Sequence, residues 1–144
     1  METVIVALLV AHFVVNTFAF RFQRTTLSIA RALGVMPVGS VQSVLTPVWV
    51  GFLGWLGTGL AVLLAVLVFI SLGWLWAGAF VVYVAIQTVV LDLVTPWPSH
   101  RQCFRIIKSH LRSSLRTVTG DNLVTIVSLL GQVESVERQY LAGG

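Results

Sequence analysis

The stretch ALGVMPVGSVQSVLTPVWVGFLGWLGTGLAVLLAVLVFISLGWLWAGAFVVYVAIQTVVL, residues 32–91, contains no Asp, Glu, Lys or Arg. An uncharged apolar run of this length exceeds what one element of a soluble core can hide, whereas a helix crossing a bilayer needs about 20 such residues. Two spans therefore fit. Ser71, Leu72 and Gly73 supply its turn-like interruption, so the pattern predicts spans over residues 47–70 and 72–94 joined in a tight hairpin. Pro47 is tolerated because the first helical turn has no partner for its missing N–H.

Composition agrees with this reading. Hydrophobic residues make up 57% of the 144-residue chain and charged residues 10%, far below the roughly one quarter charged of soluble domains. Upstream of the hairpin a second apolar run, residues 3–20, has no basic segment before it and ends in Phe18-Ala19-Phe20 rather than a small-residue cleavage pattern. It reads as a retained span, not a signal peptide. The nine basic residues fall in two segments, Arg21, Arg24 and Arg31 before the hairpin and Arg101, Arg105, Lys108, Arg112, Arg116 and Arg138 after it. Three spans put both segments on one side, and the positive-inside rule makes that side cytoplasmic, with the N-terminus outside. The expected fold is all-α, a helical integral membrane protein of three transmembrane helices with a cytoplasmic amphipathic helical tail. Residues 1–98 form the transmembrane domain, with an interfacial helix over residues 25–36 ended by Gly34 and Pro37, and residues 99–144 form the tail.

Within the hairpin, Gly51, Gly54, Thr58, Ala61 and Ala65 recur at spacings of three and four, and Gly78 and Ala85 recur with Thr88 and Asp92 on the next span. Such stripes let backbones approach closely where lipid removes the hydrophobic drive for association. They predict helix packing, within the chain or between copies. Trp49 and Trp97 fall at the proposed cytoplasmic ends of the hairpin and Trp74 and Trp76 at its outer end, as an interfacial belt requires. Trp55 does not fit that belt.

Beyond Pro96 and Pro98, Ser99 is placed to cap a new helix. From residue 100 to 119, Arg101, Arg105, Lys108, Arg112 and Arg116 share a narrow sector of a helical wheel, and Phe104, Ile107, Leu111, Leu115 and Val118 form a stripe beside it. This basic amphipathic pattern suits anionic lipid headgroups or a soluble partner. Nucleic acid is not expected, because no aromatic residues interleave with the charges. Gly120 ends that helix and Asp121 caps another, in which Leu123, Ile126, Leu130, Val133 and Tyr140 share a face and Glu134 is placed to pair with Arg138. Its many valines leave a strand over residues 123–130 as the alternative.

Four polar residues fall inside the apolar segments: His12, Asn16, Gln87 and Asp92. Polar groups at membrane depth are costly, which makes them functional candidates. The structural alternative is a neutral histidine bonded to a neighbouring helix, and a carboxylate reaching water or an arginine at the span's end. His100, Cys103 and His110 lie on one flank of the tail helix and are weak zinc candidates, since their spacing matches no zinc motif. The single cysteine has no CxxC partner, and no GxSxG, HExxH, P-loop or dinucleotide motif occurs. No cofactor and no catalysis are expected. The leading functional expectation is a non-enzymatic integral subunit that packs laterally with copies of itself or other membrane subunits while its tail docks on the membrane or a partner. An oligomeric pore or small transporter, holin-like in outline, is the alternative, and an anchor holding haem through His12 is the third.

Overall fold

The computed structural model describes residues 2–34, 38–94 and 97–142, without the side chains of residues 2, 38, 88–94, 121 and 141. Six helices follow in order: α1 (Glu2–Ala32), α2 (Val38–Leu45), α3 (Val48–Leu72), α4 (Trp74–Val94), α5 (His100–Ser114) and α6 (Asp121–Ala142). No strand occurs among the described residues. Two compact units divide the chain: residues 1–21 with 48–98, and residues 22–47 with 99–144.

The first unit contains the hairpin. Helix α3 ends two residues later than the spacing predicts, and Gly73 alone makes the turn, with φ 88°. That left-handed conformation is easy only for glycine. The Gly73 N–H donates to the Phe69 carbonyl at 3.0 Å, and the Ala77 N–H donates to the Gly73 carbonyl at 3.2 Å, so the next helix starts at once. On α3 only Val50, Gly57, Leu64 and Val68 are buried. Their spacings of seven and four trace one narrow seam. Ile5 of α1, Leu64 and Val68 of α3 and Phe80 of α4 form the unit's core, with Leu8, Leu9, Ala65 and Val84 against them. The rest of the surface is apolar: Phe52, Trp55, Val62, Val66 and Phe69 on α3 and Trp74, Trp76, Val82 and Ile86 on α4 are all exposed. Helices α1 and α3 are long and apolar enough to cross a membrane, and the apolar run described on α4, Trp74–Gln87, is shorter.

Helix α1 corrects the expected division into a span and a separate interfacial helix over residues 25–36. It runs unbroken to Ala32. Residues 21–24 include neither glycine nor proline, and a change of surroundings along a helix needs no break in its hydrogen bonds. It stops where expected, at Gly34, whose φ of 64° and N–H bond to the Arg31 carbonyl at 3.1 Å close the C-terminus.

In the second unit, the last turns of α1 bury Phe22, Thr26, Ile29 and Ala30. Helix α2 was not anticipated, because Gly39, Ser40 and Ser43 weaken a segment of eight residues, although Val38, Val41 and Leu45 fall at helical spacing. Gln42 on α2 lies 3.4 Å from the Thr26 hydroxyl and 3.4 Å from the Gln23 carbonyl, within donating distance of both. Helix α5 begins with the expected cap: the Gln102 N–H donates to Ser99 Oγ at 3.3 Å, and the Ser99 N–H donates to Gln102 Oε1 at 2.9 Å. It ends earlier than residue 119. The hydroxyls of Ser113 and Ser114 both donate to the His110 carbonyl, at 2.8 and 3.0 Å, competing with the helical ladder at its last turn. Helix α6 replaces the strand alternative over residues 123–130.

Candidate functional site

Two groups of residues carry chemistry, one in each unit. In the first, His12 is 1% exposed and Gln87 is 4% exposed. The His12 ring meets Phe80 with centroids 6.1 Å apart and planes tilted by 58°. Its Nδ1, and both Nε2 and Oε1 of Gln87, are buried without a hydrogen-bond partner. Asn16 lies one turn past His12, beside Gly57. A Cβ on Gly57 would stand 3.6 Å from Val15 Cγ1 and 3.8 Å from Asn16 Oδ1. Gly57 therefore marks the close approach of α1 and α3, a position outside the small-residue stripe. Of that stripe Ala65 borders the core, Gly54 and Ala61 are half-buried, Thr58 and Ala85 are exposed, and Gly51 and Gly78 have open space where a Cβ would stand. The side chains of Thr88 and Asp92 lie outside the described residues.

Aromatic rings cluster at one end of this unit, where Phe18 packs between Trp49 at 5.7 Å and Trp97 at 5.6 Å. Trp55 is 80% exposed in mid-helix.

In the second unit, the two faces of α5 are used differently. Cys103, Phe104, Ile107 and Leu111 are buried, so the apolar stripe packs inside the unit. Of the charges, Lys108 Nζ pairs with Glu137 at 2.5 Å, and Arg112 pairs with Glu134 at 3.0 Å. The expected Glu134–Arg138 side-chain pair is not formed. Glu134 turns to α5, and Arg138 Nε donates instead to the Glu134 carbonyl at 3.4 Å. Arg101, Arg105 and Arg116 are exposed and make no ion pair among the described residues. They form a basic surface that no described carboxylate covers. Glu134 and Glu137 were the signal missed: at i and i+3 they share a face that can meet a basic helix.

The three zinc candidates part company. His100 packs on Tyr140 with centroids 5.3 Å apart and has Nδ1 3.4 Å from the Thr25 hydroxyl. Cys103 is a buried free thiol, and among the described residues no three His, Cys, Asp or Glu side chains converge to hold a metal. An open groove of about 560 Å³ lies between α2 and α6, lined by Val41, Val44, Val124, Ile126 and Leu129 with serines and Gln132 at its edges. Comparison with family models, curated proteins and solved structures returns no match.

Proposed function

We propose that this chain is a non-enzymatic subunit of a membrane complex, in which α1, α3 and α4 cross the bilayer and pack laterally against copies of the chain or other membrane subunits. The observation that carries this reading is the apolar outer surface of the first unit. Its large exposed side chains on α3 and α4, among them Phe52, Trp55, Val66, Phe69, Trp74 and Ile86, are apolar, and contiguous exposed apolar surface of this kind marks a membrane or partner contact. Lipid and neighbouring helices are the surroundings that such a surface suits. Open space at Gly51 and Gly78 leaves room for a neighbouring helix to come close.

The placement of all nine basic residues supports an outside N-terminus and a cytoplasmic second unit. Arg101, Arg105 and Arg116 then dock that unit on anionic headgroups, each contributing about 1 kcal/mol near the surface. In a background with Cys103→Ser, a cysteine at Thr3 reacts with an impermeant maleimide in intact cells, and one at Arg138 reacts only after permeabilisation. The opposite pattern overturns the topology. A detergent-purified particle of one chain's mass, with no companion subunit, overturns lateral assembly.

A pore or small transporter is favoured by one observation, the enclosed polar side chains of His12 and Gln87. Ion flux through reconstituted vesicles, abolished by Gln87→Leu, selects that reading.

A further inference from the structure

Helix α3 runs antiparallel to α1, since Ile5 packs with Leu64 and Val68 while Asn16 adjoins Gly57. Helix α4 reverses again after Gly73, so α1 and α4 run in the same direction. Gln87 follows Phe80 by seven residues, two turns, and so shares with it the face of α4 that meets His12. The rise between those positions is roughly 10 Å, and a helical side chain leans back toward its own N-terminus, which carries the Gln87 amide toward the His12 level. The two side chains form no direct hydrogen bond with each other through these atoms. Three polar atoms, His12 Nδ1 and Gln87 Nε2 and Oε1, are left without a protein partner in this interior.

We propose that the core of the first unit is a hydration site, in which a short file of ordered water joins the His12 imidazole to the Gln87 amide alongside Asn16. Burial decides the class of guest. With 1% and 4% of their surfaces exposed, neither side chain can be reached by a neighbouring subunit or a lipid headgroup, so the partner is small enough to sit within the bundle. The donor set decides its charge. An imidazole and a primary amide offer both donors and acceptors to a neutral molecule and carry no negative charge to compensate a cation, and among the described residues no three His, Cys, Asp or Glu side chains converge to hold one. A buried water satisfies about three such groups at once. This inference stands apart from the proposed lateral assembly, because it concerns the interior of one chain.

The test uses the full chain in detergent micelles, with histidine and glutamine labelled with nitrogen-15. Magnetisation transfer from water reaches both the Gln87 amide protons and the His12 ring proton if the file is present; transfer to neither, or to one alone, overturns the proposal. A double-mutant cycle supplies an independent sign. When water joins the two groups, His12→Leu and Gln87→Leu each lower the unfolding midpoint by a few degrees, because each strands the shared water. The double variant is then no worse than either single. If the interior is dry, each substitution removes an unpaired polar group and raises the midpoint, and the two increments add. That result also overturns the proposal. If the variants fail to insert, the transfer measured on the unaltered chain decides.

Discussion

The two units are both built of helices, yet they sort side chains in opposite ways. In the first, α3 buries four residues and presents Phe52, Trp55, Val66 and Phe69 outward, while three polar side chains, His12, Thr17 and Gln87, are enclosed. In the second, α5 encloses Cys103, Phe104, Ile107 and Leu111 and presents Arg101, Arg105 and Arg116. On the proposed reading, with lipid around the first unit and water around the second, the difference follows from the solvent rather than from helix propensity. Where lipid is the solvent, an outward valine or phenylalanine has nothing to gain by turning in, and packing alone selects the seam. Where water is the solvent, the hydrophobic effect selects the apolar stripe for burial.

Truncating one large side chain in each unit would break that comparison most sharply. Phe104→Ala is expected to cost the second unit about 3–5 kcal/mol, because it removes buried surface and leaves a cavity. Phe69→Ala on the outer face of α3 is expected to change thermal stability in detergent by less than about 0.5 kcal/mol, as surface substitutions do. Equal losses at the two sites would mean that the outer face of α3 is itself a core.

A glycine pair gives a smaller effect. Leucine at Gly57 meets Val15 and Asn16 on α1 and is expected to destabilise the first unit by about 1–3 kcal/mol through overpacking. Leucine at Gly51 enters open space and leaves the unit's own stability unchanged. If Gly51→Leu nevertheless reduces the mass of the purified assembly, the stripe is a seam between chains. An unchanged mass would leave it facing lipid.

Charge separates the units more gently. Replacing Arg101, Arg105 and Arg116 together by Gln is expected to weaken docking on anionic nanodiscs by about 3 kcal/mol in sum, read as faster amide exchange along α5. The effect shrinks as salt rises, since at 0.1 M the screening length is about 10 Å. Lys108→Gln tests a different contact, the pair with Glu137, and is expected to loosen α6 from α5 in neutral as well as anionic discs. The smallest effect belongs to Arg112→Gln. Its pair with Glu134 is largely exposed, at 61% and 41%, and such pairs contribute about 0–1 kcal/mol. Unfolding of the second unit should barely register the change.

The helical class and the hairpin were legible in the sequence because a charge-free run and a single glycine turn leave few alternatives. The Ser99 cap and the glycine stop at Gly34 were legible too, since each reports a local backbone requirement, whereas Gly120 lies past the end of α5 at Ser114 and directly precedes α6 instead. The continuity of α1 was not, because Arg21 and Arg24 signal a change of surroundings and say nothing about the backbone. The contact at Gly57 stayed hidden among glycines, since small-residue spacing marks every face on which a helix could approach and not the one it takes. The pairing of α5 with α6 was hidden for a different reason: Glu134 has a cation four residues away on its own helix, and only the tertiary arrangement reveals that Arg112 reaches it first.

Spin labels at Val62, Val66 and Phe69 on α3, and at Arg105 and Arg116 in the second unit, test the contrast directly in a Cys103→Ser background in vesicles. At the three α3 positions, apolar oxygen is expected to relax the label strongly and a water-soluble nickel chelate weakly, with the order reversed at the two arginine positions. Strong relaxation by the chelate at Val66 and Phe69 would place that apolar face in water and contradict the account of the first unit as a membrane-embedded bundle.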